Sequence, residues 1–209
     1  MTKEKTLKEK VYSLIFDSII KGKYPQGTIL REKALTEKYK VSKSPVREAL
    51  VELCNEGVLK SLPRYGYEVV QLTKQDIEDI LDFRIILEGG ALRKSISDIG
   101  TEQTDQLEEI DKLCISEKAR DDFWTHWEYN KEFHMKLMSF YSNEFSYNIL
   151  KRAMDTLTRA YAQHYWNKWD NISFPRDTKA HIKIIRCIKK KDLEGAIHFL
   201  KEDIEDFGM

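Results

Sequence analysis

Cysteine is scarce in this chain, with three in 209 residues. Cys54, Cys114 and Cys187 are widely spaced and form no CxxC pair, which argues against a disulfide framework and for a reducing cytoplasm. No apolar run approaches the ~20 residues that a membrane helix needs. The charged opening segment is followed by no uninterrupted apolar core of signal-peptide type, so a soluble, unexported protein with no membrane partner is expected. Internal repeats and low-complexity stretches are missing as well. So is net charge, which is zero and at first argues against a nucleic-acid partner.

That zero averages two unlike halves. Residues 1–72 hold 14 Lys and Arg against 9 Asp and Glu, whereas residues 73–209 hold 21 against 26. A basic module meeting phosphate, joined to an acidic module with another task, accounts for the split. With 41% hydrophobic and 33% charged residues the composition is that of an ordinary globular protein, and the length suits two modest domains.

Between Leu7 and Ile20, Val11, Leu14, Ile15, Ser18 and Ile19 recur at helical spacing, and Lys21-Gly22 supplies a stop. Tyr24-Pro25-Gln26-Gly27 predicts a turn, because Pro fixes φ and Gly accepts positive φ. A short strand over 28–30 follows, then a helix over 31–39, a tight link at Lys40-Val41-Ser42, and a third helix capped by Ser42 or Ser44 that runs to about Asn55. Two short helices so joined read as helix-turn-helix. Gly57 ends the third helix, and strand-like runs over 58–62 and 67–70 flank Pro63-Arg64-Tyr65-Gly66, which predicts a β-hairpin wing. Beyond residue 72 only helical periodicity is visible, over about 74–97, 102–117, 121–141, 144–168, 177–190 and 192–206. The expected fold class is therefore mainly α: a winged helix-turn-helix domain with a small hairpin wing over 1–72, and an all-helical bundle over 73–209.

The stretch Ser42-Lys43-Ser44-Pro45-Val46-Arg47-Glu48-Ala49-Leu50 places hydroxyls, a Lys and an Arg on the first turns of the third helix, where free backbone N–H groups also favour phosphate. Hydroxyls and N–H groups set register on a DNA backbone, while Arg47 or Lys43 can reach guanine O6 and N7. Lys33 and Arg64 extend the basic surface. A merely solvated charged face is the competing explanation, and the ordered helix-turn-helix and wing speak against it. The whole run GTILREKALTEKYKVSKSPVREALVELCNEGVLKSLPRYGYEVV resembles the GntR-family winged helix, including SxxPVREAL, the EGVL exit and the glycine-bearing wing. The resemblance implies DNA contacts from Lys33, Ser42, Lys43, Ser44, Arg47, Arg64 and Gly66. Lys33 and Lys43 stand where that family often has Arg, and Lys lacks the planar fork, so base preference there should differ.

In the helical half, Phe123, Trp127, Asn130, His134, Leu137 and Tyr141 form one stripe, with Asn130 and His134 stacked four apart. His181 joins Ile184, Ile185 and Ile188, and Asp203 joins Ala196, Phe199, Leu200 and Phe207. Each polar intruder on a core face costs about 1–3 kcal/mol unless satisfied. One histidine alone is most simply a hydrogen-bonded core residue. Four coincident intruders, two imidazoles with a carboxylate and an amide oxygen, form a set suited to Zn²⁺, Ni²⁺ or Mn²⁺ with positions left for a ligand carboxylate. His126, His164 and His198 are assigned to surface or boundary positions, with His164 also a candidate to line an effector cavity. Arg84 and Glu88 share a stripe with Ile77, Leu81, Ala91 and Leu92; they either pair internally or leave Arg84 to receive the carboxylate of an organic acid.

This half resembles the FCD (FadR C-terminal) ligand-binding domain in its six-helix, VanR-like form. That resemblance implies a metal set of an Asp four residues before a His, then two further His; the matching positions are Asn130, His134, His181 and Asp203. Two of the four depart, which moves the carboxylate, removes one imidazole and should weaken or retune the metal preference. Together the two halves predict a ligand-responsive transcriptional regulator, a repressor in its commonest form. It would bind an inverted-repeat operator as a homodimer, with a small carboxylate-bearing metabolite as effector. The alternatives are a regulator for which the metal itself is the signal, and a metal-dependent enzyme, against which stands the lack of a recognisable base or nucleophile beside the site.

Overall fold

In the computed structural model, residues 5–116, 122–165 and 179–206 are described. They form nine helices and a three-stranded antiparallel sheet. By their contacts they fall into two compact units, one ending at Lys74 and joined by the stretch from Thr156 onward, the other comprising the rest.

The first unit opens with α1 (Leu7–Ile20), started by a capping box in which Glu9 N donates to Thr6 Oγ1 at 3.2 Å and Thr6 N donates to Glu9 Oε2 at 2.8 Å. Its Val11, Ile15 and Ile19, four apart, form the buried stripe. After β1 (Ile29–Leu30) come α2 (Glu32–Tyr39), closed by left-handed Lys40, and α3 (Lys43–Asn55), which buries Val46, Ala49, Leu50 and Leu53. A Schellman ending stops α3: Gly57 has φ +67°, Val58 N donates to Leu53 O at 2.9 Å and Gly57 N to Cys54 O at 3.0 Å. Burying a side chain such as Leu50 contributes about 1.5–3 kcal/mol, and α1, α3 and the sheet share that core.

The wing pairs β2 (Leu59–Leu62) with β3 (Gly66–Val69), Leu59 facing Val69 and Leu62 facing Gly66. The expected hairpin is present, and β1 adds to it as a third strand against β3, in the order β1-β3-β2. Gly66 makes this possible. Its φ is +133°, and a Cβ there would stand 2.4 Å from Leu30 O.

The helical half contains α4 (Lys74–Ser95), α5 (Thr101–Cys114), α6 (Phe123–Ser139), α7 (Glu144–Tyr165), α8 (Lys179–Lys189) and α9 (Leu193–Asp206). These are the six expected helices, with the described helical residues ending one to three positions short of several expected termini; residues 117, 121, 166–168 and 177–178 of those expectations, and Phe207 of the last stripe, lie outside the described residues. Caps set the starts: Thr125 N donates to Asp122 Oδ2 at 2.9 Å, Ser146 N to Asn143 Oδ1 at 2.9 Å and Gly195 N to Asp192 Oδ1 at 3.0 Å. In the second unit α5 packs on α6 and α8, and α8 on α9. The part of α7 from Thr156 onward groups instead with the winged-helix unit. There Arg159 donates to Gly57 O at 2.8 Å, and Gln163 both donates to Val70 O at 2.8 Å and accepts from Leu72 N at 2.9 Å. These bonds satisfy backbone groups on either side of the wing, Gly57 before it and Val70 and Leu72 after it.

Candidate functional site

Two polar constellations stand out, one in each unit. In the first, the N-terminus of α3 is exposed and cationic. Ser42 occupies the cap position in extended conformation with no side-chain cap bond, and the first turn holds no acid. Lys43 and Arg47 project outward, their side chains 76% and 71% exposed. Glu32 of α2 is their nearest carboxylate, with Oε2 3.8 Å from Lys43 Nζ and Oε1 4.0 Å from Arg47 Nε, and the wing's Tyr67 hydroxyl donates to the same Oε1 at 3.1 Å. One carboxylate thus touches both helices and the wing. Ser44 donates to Glu48 Oε1 at 2.7 Å, and Lys33 is exposed. Arg64 sits at the wing turn with φ +70°. An open cleft of about 500 Å³ beside the wing is lined by Arg64, Tyr65 and Arg31, the last a cation that the motif reading does not single out.

The second constellation is buried and draws on five helices. His134 and Asn130 come from α6, His181 from α8, Asp203 from α9, Arg84 and Glu88 from α4 and Asp111 from α5; all are more than nine-tenths buried. The four residues expected to form a metal set do converge. His134 Nε2 lies 2.8 Å from Asp203 Oδ2, His181 Nε2 lies 3.3 Å from Asp203 Oδ1, and Asn130 Nδ2 lies 3.3 Å from His181 Nε2. Both imidazoles therefore turn Nε2 toward one carboxylate. Each Nδ1 is held from behind by another: His134 by Glu88 Oε2 at 2.6 Å and His181 by Asp111 Oδ1 at 3.1 Å. Carboxylate backing of this kind fixes ring orientation and raises basicity in metal-ligating histidines. Phe133 stacks on the His181 ring at 3.7 Å and holds it further.

Three buried carboxylates, Glu88, Asp111 and Asp203, face one guanidinium, Arg84. The excess of negative charge calls for protonated imidazoles or a dication. Burial by itself disfavours a charged His181, yet Asp203 and Asp111 overcome it and hold that imidazole well above its ordinary range. Burial likewise opposes ionisation of Asp203 and Glu88, and is outweighed by the histidines and by Arg84, so both carboxyls lie below their ordinary range. Burial raises the Cys114 thiol, which neighbours His181. Two atoms sets remain unmatched: Asn130 Oδ1, and both terminal nitrogens of Arg84, are buried with no hydrogen-bond partner. Arg84 does pair internally, Nε donating to Glu88 Oε1 at 2.8 Å, and this leaves its planar end free.

One expected placement differs. His126 is buried, not at the surface: its Nδ1 lies 3.1 Å from Cys114 O, so the carbonyl at the end of α5 supplies the partner that makes burial tolerable. His164 is half-buried, a boundary position as expected, with Nε2 2.7 Å from Leu72 O in the winged-helix unit; Arg84 and the cluster belong to the other unit. His198 is exposed as expected, beside Glu202. Asp111 was not singled out from sequence, although Thr104, Leu107, Asp111 and Cys114 follow the 3-4-3 spacing of a buried stripe.

Comparison with known proteins decides the family. Residues 7–69 match the family of bacterial regulatory proteins called gntR, and residues 79–206 match the FCD domain. The chain belongs to the GntR family and carries an FCD domain. GntR-family relatives include the HTH-type transcriptional regulator YdhC of Bacillus subtilis, 29% identical over 188 residues that make up 88% of this chain and 82% of that one. The gluconate operon transcriptional repressor of Bacillus licheniformis is 29% identical over 196 residues, 90% of this chain and 78% of that one. In fold, this GntR-family chain is similar to McbR/YncC of Escherichia coli, with TM-score 0.74 at 20% identity over 97% of this chain and 95% of that one. It is thus a transcriptional regulator with an effector-binding FCD domain, not an enzyme. Among the described residues no helix is long and apolar enough to cross a membrane.

Proposed function

We propose that this chain is a homodimeric repressor of the cytoplasm that grips an inverted-repeat operator through α3 and the wing and answers to a small carboxylate-bearing metabolite. Arg47 and Lys43 reach base edges, Ser42, Ser44 and Lys33 fix phosphates, and Arg64 with the backbone at Gly66 enters the flanking groove. The three free cysteines suit a reducing compartment.

The observation that carries the effector assignment is Arg84. Its side chain is 0% exposed, and both terminal nitrogens lack a partner. A buried guanidinium left with two open donors is costly, and a carboxylate accepts from such a fork in a bidentate manner. His134, His181, Asp203 and Asn130 would hold a divalent ion such as Zn²⁺, Ni²⁺ or Mn²⁺, which, when bound, supplies a Lewis acid toward a ligand oxygen. Glu88 and Asp111 orient the two imidazoles, and Glu88 also holds Arg84 by its Nε.

Effector binding shifts the balance between two arrangements of the paired DNA-binding units, by no more than the effector's differential affinity for them. The test is fluorescence anisotropy on an operator found by genomic footprinting, titrated with a panel of small mono-, di- and hydroxycarboxylates, with and without added Zn²⁺. One class of acid should change operator affinity in the wild type and leave Arg84→Ala unresponsive, with the variant's ligand-free DNA binding intact. A response to Zn²⁺ alone, with no acid acting, would instead make the ion the signal; the buried excess of carboxylates favours that second reading.

A further inference from the structure

His181 presents its other nitrogen to a different pair of side chains. While Nε2 faces Asp203, Nδ1 lies 3.1 Å from Asp111 Oδ1 on α5. Cys114 stands three residues after Asp111 on the same face of α5, and its thiol is hydrogen-bonded to the His181 ring. The thiol sulfur, a carboxylate oxygen of Asp111 and a ring nitrogen of His181 all lie within 4.8 Å of one another, and the three residues are more than nine-tenths buried. Ligands on a tetrahedral Zn²⁺, at about 2.0 Å for N and O and about 2.3 Å for S, stand about 3.3–3.5 Å apart, so closing the trio takes side-chain shifts of about 1 Å. Its parts are already held. Phe133 stacks on the His181 ring at 3.7 Å, and His126 Nδ1 lies 3.1 Å from Cys114 O.

We propose that Asp111, Cys114 and Nδ1 of His181 form a thiolate-bearing site for a thiophilic dication of the Zn²⁺ class, separate from the set offered by His134, Asn130, Asp203 and Nε2 of His181. A carboxylate, an imidazole and a thiolate give one hard, one borderline and one soft donor, a combination that favours Zn²⁺, Co²⁺ or Cd²⁺ over Mn²⁺ or Mg²⁺. The first set contains no sulfur. Coordination releases the thiol proton and the Nδ1 proton to solvent, two positive charges for the ion's two, so the net charge of the buried cluster is unchanged. His181 then keeps its remaining proton on Nε2, which points at Asp203 Oδ1 3.3 Å away and has no lone pair left for an ion in the first set. An ion beside Cys114 therefore withdraws one imidazole from that set, and the two positions are alternatives within one chain. The Cys114 site does not depend on the carboxylate-effector reading and shares only His181 with the first set.

Co²⁺ titration of the full chain tests the assignment, because a cobalt-bound thiolate gives a near-ultraviolet charge-transfer band that nitrogen and oxygen ligands do not. The band should appear in the wild type, persist in the Cys54→Ser/Cys187→Ser chain, where Cys114 is the one remaining thiol, and vanish in Cys114→Ser. Unchanged helical circular dichroism checks the fold of each variant. In the Cys54→Ser/Cys187→Ser chain loaded with one equivalent of Zn²⁺, X-ray absorption should show one sulfur at about 2.3 Å from the metal. If Cys114→Ser fails to fold, this second measurement decides alone. A band that survives Cys114→Ser, or zinc ligated by nitrogen and oxygen only, overturns the Cys114 site and leaves the first metal set standing. A chain that takes up neither ion overturns both, while the carboxylate titration with Arg84→Ala still decides the effector.

Discussion

His134 and Asp203, 69 positions apart in the chain, meet at 2.8 Å between Nε2 and Oδ2 in the interior of the helical half, their side chains 0% and 6% exposed. An imidazole and a carboxylate so deeply buried are tolerated only through their partners, and the partners extend the pair into a chain from Arg84 and Glu88 through His134 and Asp203 to His181 and Asp111.

Breaking that chain should have a large effect. His134→Leu leaves Glu88 and Asp203 buried with one partner fewer each and is expected to destabilise the helical half by about 3–5 kcal/mol, read by chemical denaturation. Asp111→Asn, which keeps the shape and removes only the charge behind His181, should leave most of the stability and weaken Zn²⁺ affinity about 10–100-fold in a competition titration with a chelating dye.

The same cluster predicts a pH dependence for protein freed of metal by chelation. Folding raises the pKa of His181, so its contribution is complete below about 6.5 and is lost as pH rises through the elevated value. Folding lowers the pKa values of Asp203 and Glu88, so theirs is complete above about 4.5 and is lost as pH falls through the depressed values. Stability by denaturant titration should therefore be highest between about pH 4.5 and 6.5 and should decline above neutrality. A stability still rising from pH 7 to 9 would contradict this assignment of charge.

At the DNA-binding end, Arg47→Ala is expected to lower operator affinity by about 1–3 kcal/mol and relax preference at one base pair, with thermal stability unchanged because Arg47 only grazes Glu32. Lys33→Ala should weaken binding evenly across sequences and reduce the salt slope by about 1. Anisotropy titrations at several salt concentrations separate the two.

Glu32 offers the opposite test. Its carboxylate lies against Lys43 and Arg47 and accepts from Tyr67, so Glu32→Gln keeps a hydrogen-bond acceptor for the wing and removes the competing charge. Affinity for nonspecific duplex should rise severalfold while preference for the operator narrows.

Gly66→Ala should damage the wing. A Cβ at 2.4 Å from Leu30 O, on a backbone with φ +133°, forces β1 and β3 apart, at a cost of about 1–3 kcal/mol. Loss of both stability and operator binding is expected, the first seen in the thermal midpoint. The proposed DNA contact at Gly66 is one demand on this position, and the structure adds another, the close approach of a third strand.

Much of this was legible in the chain itself because it is encoded locally. The spacing of Val11, Ile15 and Ile19, the stop at Gly57, and the stacking of Asn130 under His134 need only a helix repeat and a cap to be read, and such local signals were enough to define the winged helix, the six later helices and the inward facing of Asn130, His134, His181 and Asp203. A helix repeat gives the azimuth of a side chain and says nothing about which helix lies opposite. Only the tertiary structure could show that Asp111 stands behind His181, that a carbonyl of α5 makes His126 an interior residue, that β1 completes the wing, and that the end of α7 satisfies the backbone following it. Each of these joins different elements of the chain, where the local pattern carries no record of the partner and packing alone selects it.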